Sequence, residues 1–452
     1  MAAIDPSVYE EIEISASNED GKTIDLRLGV VKFNYYEDLF SPCITAQLLI
    51  VSATGVQKIP EEGVSGGEQT IETVYNGLPI RGGERIKINI KPNSAFNVAL
   101  KFDTPETYLY VANVSRQYAD GAKEIITLDL VSREAITNET SRVVSKYAKE
   151  SRISEHVKSI INNNLASTIE DDDIDQTSNK YGFIGNLKKP FHVLVWLASK
   201  SLPDVKDSLP GYFFFQTKDG FKFKSIDKLI QDGKKIARNE KTRNYNEVRY
   251  KPSSKLSSVA DFSVLQYNII QNNDLLQKLN LGQYRSHIMQ FDPLLGTFTT
   301  EEQGKFSLSD YTDDAVSLGG SPEIPNLLSN VENQNLGTLP SRLITMVTDR
   351  GILDKKPVRD KNSEPSKWQR QAYLRYQLLF TQILQMVIPL NTTLSAGDVL
   401  FIKFLQSTME AKERDRVQSG FYMIKELCHH FDANQSLTSM TLIRDTYGEI
   451  SE

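Results

Sequence analysis

Across residues 8–56, apolar and β-branched positions recur at short intervals. Ile12, Ile14, Ile24, Leu26, Val31, Phe33, Tyr35 and Tyr36 are broken by the turn-forming run Asn18-Glu19-Asp20-Gly21. This pattern predicts antiparallel strands. Residues 57–83 carry Gly63, Gly66, Gly67, Gly77, Gly82 and Gly83, too many flexible positions for a core element, and read as a long loop or arm. Strand grammar returns where Ile86, Ile88 and Ile90 alternate with Arg85, Lys87 and Asn89, the period of a sheet with one face on a core. A hairpin follows, with Tyr108-Leu109-Tyr110-Val111 and Ile126-Thr127-Leu128-Asp129-Leu130 flanking the turn Ala119-Asp120-Gly121.

The period changes after Ser151. Ile153, Val157, Ile160, Ile161 and Leu165 fall at helical spacing, with Glu155 and Lys158 on the other side, which predicts an amphipathic helix. The acidic run Glu170-Asp171-Asp172-Asp173-Ile174-Asp175 separates it from a more apolar stretch at residues 191–198, read as a second, more buried helix. Tyr212-Phe213-Phe214-Phe215, the turn Thr217-Lys218-Asp219-Gly220 and Phe221-Lys222-Phe223-Lys224 then predict a hairpin. Its first strand is covered on both faces and its second alternates. Residues 140–240 therefore read as a small α/β insertion. Beyond Tyr245, strands at 262–270 and 284–291 enclose a short helix at 274–279 that ends near Gly282. Residues 300–340 are rich in Gly, Ser, Asn and Pro and read as an extended surface segment. From Trp368 a helix, a strand ending at Pro389 and further strands to Arg444 complete the chain.

Two segments far apart share one grammar. Gly83-Glu84-Arg85-Ile86-Lys87-Ile88-Asn89-Ile90 matches Gly397-Asp398-Val399-Leu400-Phe401-Ile402-Lys403-Phe404, each opening on Gly and an acid and continuing as a strand. A hairpin follows each at nearly the same spacing, at Tyr108 and at Phe421, with an Asp in its turn (Asp120, Asp432). They close on Leu128 and Leu130 in one case and Met440 and Leu442 in the other. Two related β-barrels account for this echo, although any two hairpins in a β-rich chain share alternation and turn residues. Three copies of a two-barrel chain present six similar units around one axis, so one face suits a sixfold tube and the other a trimeric partner.

Composition narrows the choices. The 452 residues are 39% hydrophobic and 24% charged, as in folded proteins, and the length suggests about three domains. A net charge of -6 argues against a protein whose work is gripping nucleic acid. Cys43 and Cys428 alone make no disulfide scaffold and suit a reducing compartment. The N-terminus lacks a signal-peptide pattern, and no window approaches the roughly 18 apolar residues of a membrane span, so a soluble, unsecreted protein is expected.

Catalytic signals are sparse. His156, His192, His287, His429 and His430 form no HExxH or Cys/His pattern, and the adjacent pair His429-His430 faces opposite sides of a strand. Serine-nucleophile elbows, Walker loops and dinucleotide fingerprints are missing from the sequence. The acidic run has contiguous carboxylates without a glycine, and so reads as a solvated loop rather than a calcium loop. Glu84, Asp129, Asp292 and Asp398 qualify by type for a glycosidase carboxylate pair, while Glu84 and Asp398 also read as matching strand-start acids. Lys188-Lys189 and Lys234-Lys235 read as solvated surface, and Trp196 and Trp368 as core. No catalytic, cofactor-binding or metal residue is assigned, and no cofactor is expected.

Four stretches together resemble the central baseplate hub proteins of T4-like contractile-tailed phages, a family related in architecture to spike-bearing proteins of type VI secretion systems. They are Leu78 to Ile88, Tyr212 to Phe223, Asp274 to Leu294 (through Gly282-Gln283-Tyr284-Arg285-Ser286), and Trp368 to Val399 (ending in Ile388-Pro389-Leu390-Asn391-Thr392-Thr393). Their order and spacing carry the resemblance. It implies a mainly β fold of two tail-tube-like antiparallel β-barrels plus a small α/β domain, in a homotrimer that forms a pseudo-sixfold ring. The ring adapts a threefold central spike to a hexameric tail tube, with DNA only in transit. Tail tube, central spike and baseplate wedge proteins are the implied partners, with the tape-measure protein a further candidate. The location implied is the virion tail baseplate, assembled in the host cytoplasm. The expected division is 1–139 first barrel, 140–240 α/β insertion, 241–345 start of the second barrel with an extended surface segment, 346–388 helix-bearing connection, and 389–452 end of the second barrel. The surplus over the best-known family member is assigned to the segments 57–82 and 300–345. A non-enzymatic structural role is expected. A tail-associated cell-wall hydrolase using a carboxylate pair and a receptor- or carbohydrate-binding tail protein are the rivals.

Overall fold

The computed structural model describes residues 9–19, 21–52, 78, 80–92, 97–119, 123–205, 209–247, 262–298, 304–307, 316–320, 340–350, 362, 365–406, 413–432 and 435–448. Eight strands come first: β1 (Tyr9–Ser17), β2 (Thr23–Asp25), β3 (Val30–Asp38), β4 (Thr45–Ser52), β5 (Arg85–Pro92), β6 (Leu100–Phe102), β7 (Leu109–Ala119) and β8 (Lys123–Ser132). Next come α1 (Arg133–Thr140), β9 (Lys146–Tyr147), α2 (Ile153–Asn164), β10 (Phe183–Ile184), α3 (Pro190–Ala198), β11 (Tyr212–Thr217), β12 (Gly220–Ser225) and α4 (Ile226–Asn239). The remainder holds β13 (Asn244–Glu247), β14 (Ser263–Val264), β15 (Gln266–Gln271), α5 (Leu275–Asn280), β16 (Arg285–Asp292), β17 (Thr297–Phe298), β18 (Lys305–Ser307) and β19 (Arg342–Val347). It ends with α6 (Pro365–Leu378), β20 (Gln382–Pro389), β21 (Val399–Lys403), β22 (Gly420–Asp432) and β23 (Ser436–Arg444).

The protein is mainly β, with several sheets. In the N-terminal part the pairing runs β3, β4, β8, β7, β5, β1, β2, antiparallel at every step. β2 leads into β3 through one 3-10 turn at Arg27–Gly29, so the two ends of this ladder are neighbours in sequence. The C-terminal part repeats the order as β15, β20, β23, β22, β21, β13, β14. Here β14 and β15 are separated only by Leu265, whose N–H donates to the Val387 carbonyl at 2.9 Å. Taken in chain order, β1, β2–β3, β4, β5, β7 and β8 therefore correspond to β13, β14–β15, β20, β21, β22 and β23. One sense differs: β13 runs parallel to both its neighbours, whereas β1 is antiparallel to both of its own.

The echo in the sequence holds at the level of single hydrogen bonds. Gly83 donates to the Val111 carbonyl at 2.7 Å, and Val111 donates back to Glu84 at 3.0 Å. Gly397 donates to Ile424 at 2.9 Å, and Ile424 donates back to Asp398 at 2.8 Å. Both glycines adopt positive φ, +89° and +86°, where a side chain is strained, which is why the motif opens on Gly. The register shift that follows also recurs, between Val111 and Asn113 opposite β8 and between Ile424 and Glu426 opposite β23. Val111 faces Leu130 and Ile424 faces Leu442, so the hairpins match residue for residue.

Each repeat has its own core. Ile86, Ile88 and Ile90, buried as their alternation predicts, pack with Phe33, Leu48 and Leu128 in the first, and Leu400, Ile402, Ile424 and Leu442 pack in the second. Each such side chain removed from water contributes about 1.5–3 kcal/mol relative to exposure. The segment between them forms a third core from α2, α3, β11 and β12, where Val157, Ile160, Ile161, Leu194, Phe214 and Phe223 meet. β11 is buried at all six positions and β12 alternates, as their composition predicts. α4 lies against β21 closely enough that a Cβ at Gly233 would come within 2.5 Å of Val399. A separate four-stranded sheet, β17, β16, β18 and β19, sits in the connection between β15 and β20.

Three features depart from the sequence pattern. α1 has no apolar period, and its buried residues are Glu134 and Asn138. Leu78 and Ile80, at the end of the stretch read as a loop, are buried in the first core. Lys234 is buried too; its ammonium donates to the Ser317 carbonyl and lies 5.5 Å from the centre of the Phe421 ring. The rest of the loop at 57–77, residues 120–121 of the hairpin turn, most of 300–340 and the side chain of Trp368 lie outside the described residues. Among the described residues, no helix is long and apolar enough to cross a membrane.

Candidate assembly interface

Among the described residues β22 is the longest strand, with 13 residues, and it serves two partners along one edge. Its first part, Gly420 to Met423, pairs with β21. Its last part, Glu426 to Asp432, pairs antiparallel with β3 from Asp38 to Lys32. This ladder joins the two repeats into one 15-stranded sheet. Side chains reinforce it on both faces: Phe33 stacks on Phe431 with ring centres 6.0 Å apart, and Tyr35 stacks on His429 at 6.1 Å. On the other face, His430 Nδ1 lies 2.6 Å from Asn34 Oδ1 and its Nε2 lies 3.2 Å from Asp432.

Beneath the junction sits Glu37, on the face it shares with Phe33 and Tyr35 and almost fully buried. Its carboxylate accepts the Tyr35 hydroxyl and the backbone N–H groups of Lys218 and Ala396, each at 2.8 Å. Burial pushes this carboxyl above its usual range, opposed by the Lys218 charge and the hydrogen bonds. One side chain thus ties the first repeat, the β11–β12 turn and the entry to β21. His429 is fully buried, 3.0 Å from Thr438 Oγ1; burial, helped by the Lys218 charge, lowers its pKa to about 3. Burial raises the Cys428 thiol to about 11, so it stays protonated near neutral pH.

Further polar groups hold the units in place. Asn97 donates to the Leu390 carbonyl at 2.9 Å, and Thr392 N–H donates back to Asn97 Oδ1 at 2.9 Å. Gln216 of β11 accepts from Ile44 N–H at 3.2 Å and Ser132 Oγ at 2.8 Å, anchoring the α/β segment on the first repeat. Arg375 of α6 forms a buried ion pair with Asp227 of α4.

The residues singled out from sequence are dispersed. Glu84 accepts the N–H groups of Arg81 and Gly82 at 2.7 and 2.8 Å, and Asp398 accepts that of Ser395 at 2.9 Å while pairing with Arg243 at 2.8 Å. Both therefore brace the turn that starts their strands. Asp129 accepts from Gln47 and Asn113 at 3.1 and 3.0 Å, and Asp292 pairs with Arg350 in the separate sheet. His156 is buried against the Tyr181 carbonyl at 2.8 Å, His192 is exposed, and His287 is half-buried in β16. His429 and His430 do face opposite sides. The acidic run is solvated at Glu170, Asp171 and Asp172, with exposed Asp171 paired to Lys158, and turns inward at its end, where Lys222 pairs with Asp173 at 2.6 Å. Asp175 is buried between Lys228 at 2.9 Å and Lys224 at 3.3 Å. Among the described residues, no group of three or more His, Cys, Asp or Glu side chains is placed to hold a metal.

Sequence reasoning missed Glu37. The signal was its phase, an acid two positions beyond Tyr35 on a strand whose matching residues are core.

The overall fold is shared with other proteins. It is similar to the 43 kDa tail protein of prophage MuSo2 from Shewanella oneidensis, at TM-score 0.51 and 10% identity over 96% of this chain and 98% of that one. It is equally similar to a tail protein from Neisseria meningitidis MC58, at TM-score 0.51 and 8% identity over 96% and 97%. These likenesses establish a shared fold. No family model and no curated protein matches the chain.

Proposed function

We propose that the chain is a structural hub of a phage contractile-tail baseplate, a homotrimer whose two tail-tube-like β-barrels per copy form a pseudo-sixfold ring. The observation that carries this reading is the recurrence of one strand order, one bulge and one Gly-acid entry in two units joined edge to edge. A chain with two near-equivalent units turns threefold symmetry into six similar positions, the geometry needed between a threefold spike and a hexameric tube. The pairing circuits of both repeats, whose ends meet in one continuous segment, support reading them as barrels, the first within 1–139 and the second in 241–345 and 389–452. Residues 140–240 and 346–388 form the insertion and the helix-bearing connection.

A non-enzymatic role is supported by the work of the four candidate carboxylates, each spent on a backbone N–H, an amide or an arginine of the fold. Spike, tube and wedge proteins are the proposed partners in the virion, and the net charge of -6 suits a bore that DNA crosses without adhering. Light scattering on the purified chain tests the reading. The expected mass is three times the 51.0 kDa chain, with six-lobed rings in averaged electron micrographs. A monomer at every concentration rejects it, and lysis of peptidoglycan by the chain alone redirects it to a hydrolase.

A further inference from the structure

Trp196 and Lys188, expected from the sequence in the core and on a solvated surface, meet at one place that the hub reading leaves unused. Trp196 of α3 is half-buried, with the Phe183 ring edge-on to it at 5.4 Å. Together with Ile184, Asn186, Lys188 and His192, these two rings line a pit of about 170 Å³, of a size to take one large apolar side chain. Phe183, Ile184, Asn186 and Trp196 also wall a second cleft of about 410 Å³ that opens toward Lys146 and Lys149.

The backbone beside the pit is strained, and its neighbours enforce the strain. Asn186 and Leu187 both take left-handed φ values, +50° and +58°, which are costly for a bulky side chain such as leucine. The turn cannot relax. Gly185 is packed so closely that a Cβ there would collide with the Val143 carbonyl, and Leu187 N–H donates to that same oxygen at 3.1 Å. Leu187 is thereby held 67% exposed, with Val144 on the facing segment at 62% and Val195 of α3 at 45%. Apolar groups kept in water around a pit with aromatic walls mark a surface built for contact.

We propose that this pit is the docking site for an acidic linear segment of a partner protein, which inserts one aromatic side chain beside Trp196 and sets flanking carboxylates against Lys188 and Lys146. Charge decides the class of partner. Lys188 lines the pit, and Lys146, opposite Ile184 across β9 and β10, lines the cleft; both are exposed, in a chain whose net charge is -6. No carboxylate lines the pit, and the one acid in the cleft, Asp349, already accepts from the Tyr181 hydroxyl and the Asn362 amide, each at 3.0 Å. An aromatic anchor supplies affinity, while the flanking charges select and orient the partner. The pit lies wholly within the α/β segment of one chain, so it stands apart from the trimeric reading.

Labelled peptides added to the full chain test this by fluorescence anisotropy. Glu-Glu-Phe-Glu-Glu should bind, Glu-Glu-Ala-Glu-Glu should bind roughly ten- to hundredfold more weakly, and Lys-Lys-Phe-Lys-Lys should do no better than the alanine peptide. Lys188→Glu should weaken the acidic phenylalanine peptide roughly tenfold. Lys235→Glu, the same change in net charge at an exposed position of α4, should leave it unaltered. Binding should also shift the tryptophan emission, and Trp196→Phe, which keeps Trp368, should abolish that shift. Absence of binding at about 1 mM peptide overturns the site. So does equal binding of the acidic and basic peptides, an alanine peptide as tight as the phenylalanine one, or an equal loss in Lys235→Glu. Each of those results leaves the hub reading standing, and a monomeric chain that binds as expected keeps the site while losing the hub.

Discussion

The two repeats share a strand order and differ in what covers one strand. β3 lies beside β22 with Phe33 and Tyr35 at zero exposure, while in β15 the equivalent Tyr267 is 37% exposed and Ile269 only partly buried. The same local pattern of strand, bulge and hairpin therefore yields a core element in one place and a surface element in the other. Burial of a strand face is set by its neighbours, and among the described residues only β3 has a strand on its second edge. The comparison also separates stability from assembly. The β3 junction holds a chain together, and the corresponding edge of β15 carries no strand among the described residues.

The largest effect expected separates these two strands directly. Phe33→Ala removes a fully buried ring and should lower stability by about 3–5 kcal/mol. Tyr267→Ala, at the equivalent position, removes a ring that is 37% exposed and packs on Phe404 with ring centres 4.8 Å apart, and should cost less, about 1–2 kcal/mol. Urea unfolding midpoints measure both, and equal losses would break the assignment of β15 as the open counterpart.

A second expectation concerns pH. His429 is neutral when buried, with its pKa lowered from 6.5 to about 3, so below pH 6.5 the unfolded chain takes up a proton that the folded junction refuses. Stability from this group is fully present above pH 6.5 and is lost as pH falls toward 3, by at most about 1.4 kcal/mol per pH unit. Replacing His429 with Gln should flatten that slope between pH 6 and 4 in urea titrations. The position equivalent to His429 in β7 is Arg116, so this sensitivity should belong to β22 and not to its counterpart β7. A slope unchanged in the variant would assign the acid sensitivity elsewhere.

The smallest effect sharpens the equivalence itself. Glu84→Ala and Asp398→Ala each remove a carboxylate that accepts backbone N–H groups at a strand entry, and each should cost about 1–2 kcal/mol. The Asp398 change should cost somewhat more because it also removes the closer of Arg243's two ion pairs, leaving Glu240 at 3.7 Å. Thermal midpoints of the two variants check this; a neutral Glu84→Ala would show that the shared turn is held by its glycine alone.

Much of this architecture was legible in advance. The alternation of Ile86, Ile88 and Ile90, the fully apolar Tyr212 to Phe215 and the helical spacing from Ile153 to Leu165 each report a local environment through side-chain period, and each element formed where its period placed it. The Gly-acid pairs were legible because a positive φ and a short loop closed by a carboxylate are local demands on particular residue types. α1 was not legible, since its buried side chains are polar and find partners in the fold. Lys234 and Asp175 misled for the same reason, being charges made tolerable by partners distant in the chain.

By itself the sequence determined the kinds of elements, their order and the duplication, because strand period, helical period and turn chemistry act over a few residues. The tertiary structure alone decided that Glu426 to Asp432 would find Lys32 to Asp38 across nearly the whole chain, that Glu37 would be sealed beneath them, and that no strand among the described residues would cover the second edge of β15. Sheet edges pair through backbone N–H and C=O groups that almost every residue carries, so the choice of partner leaves little mark on residue type and is settled only when the folded units present their edges to one another.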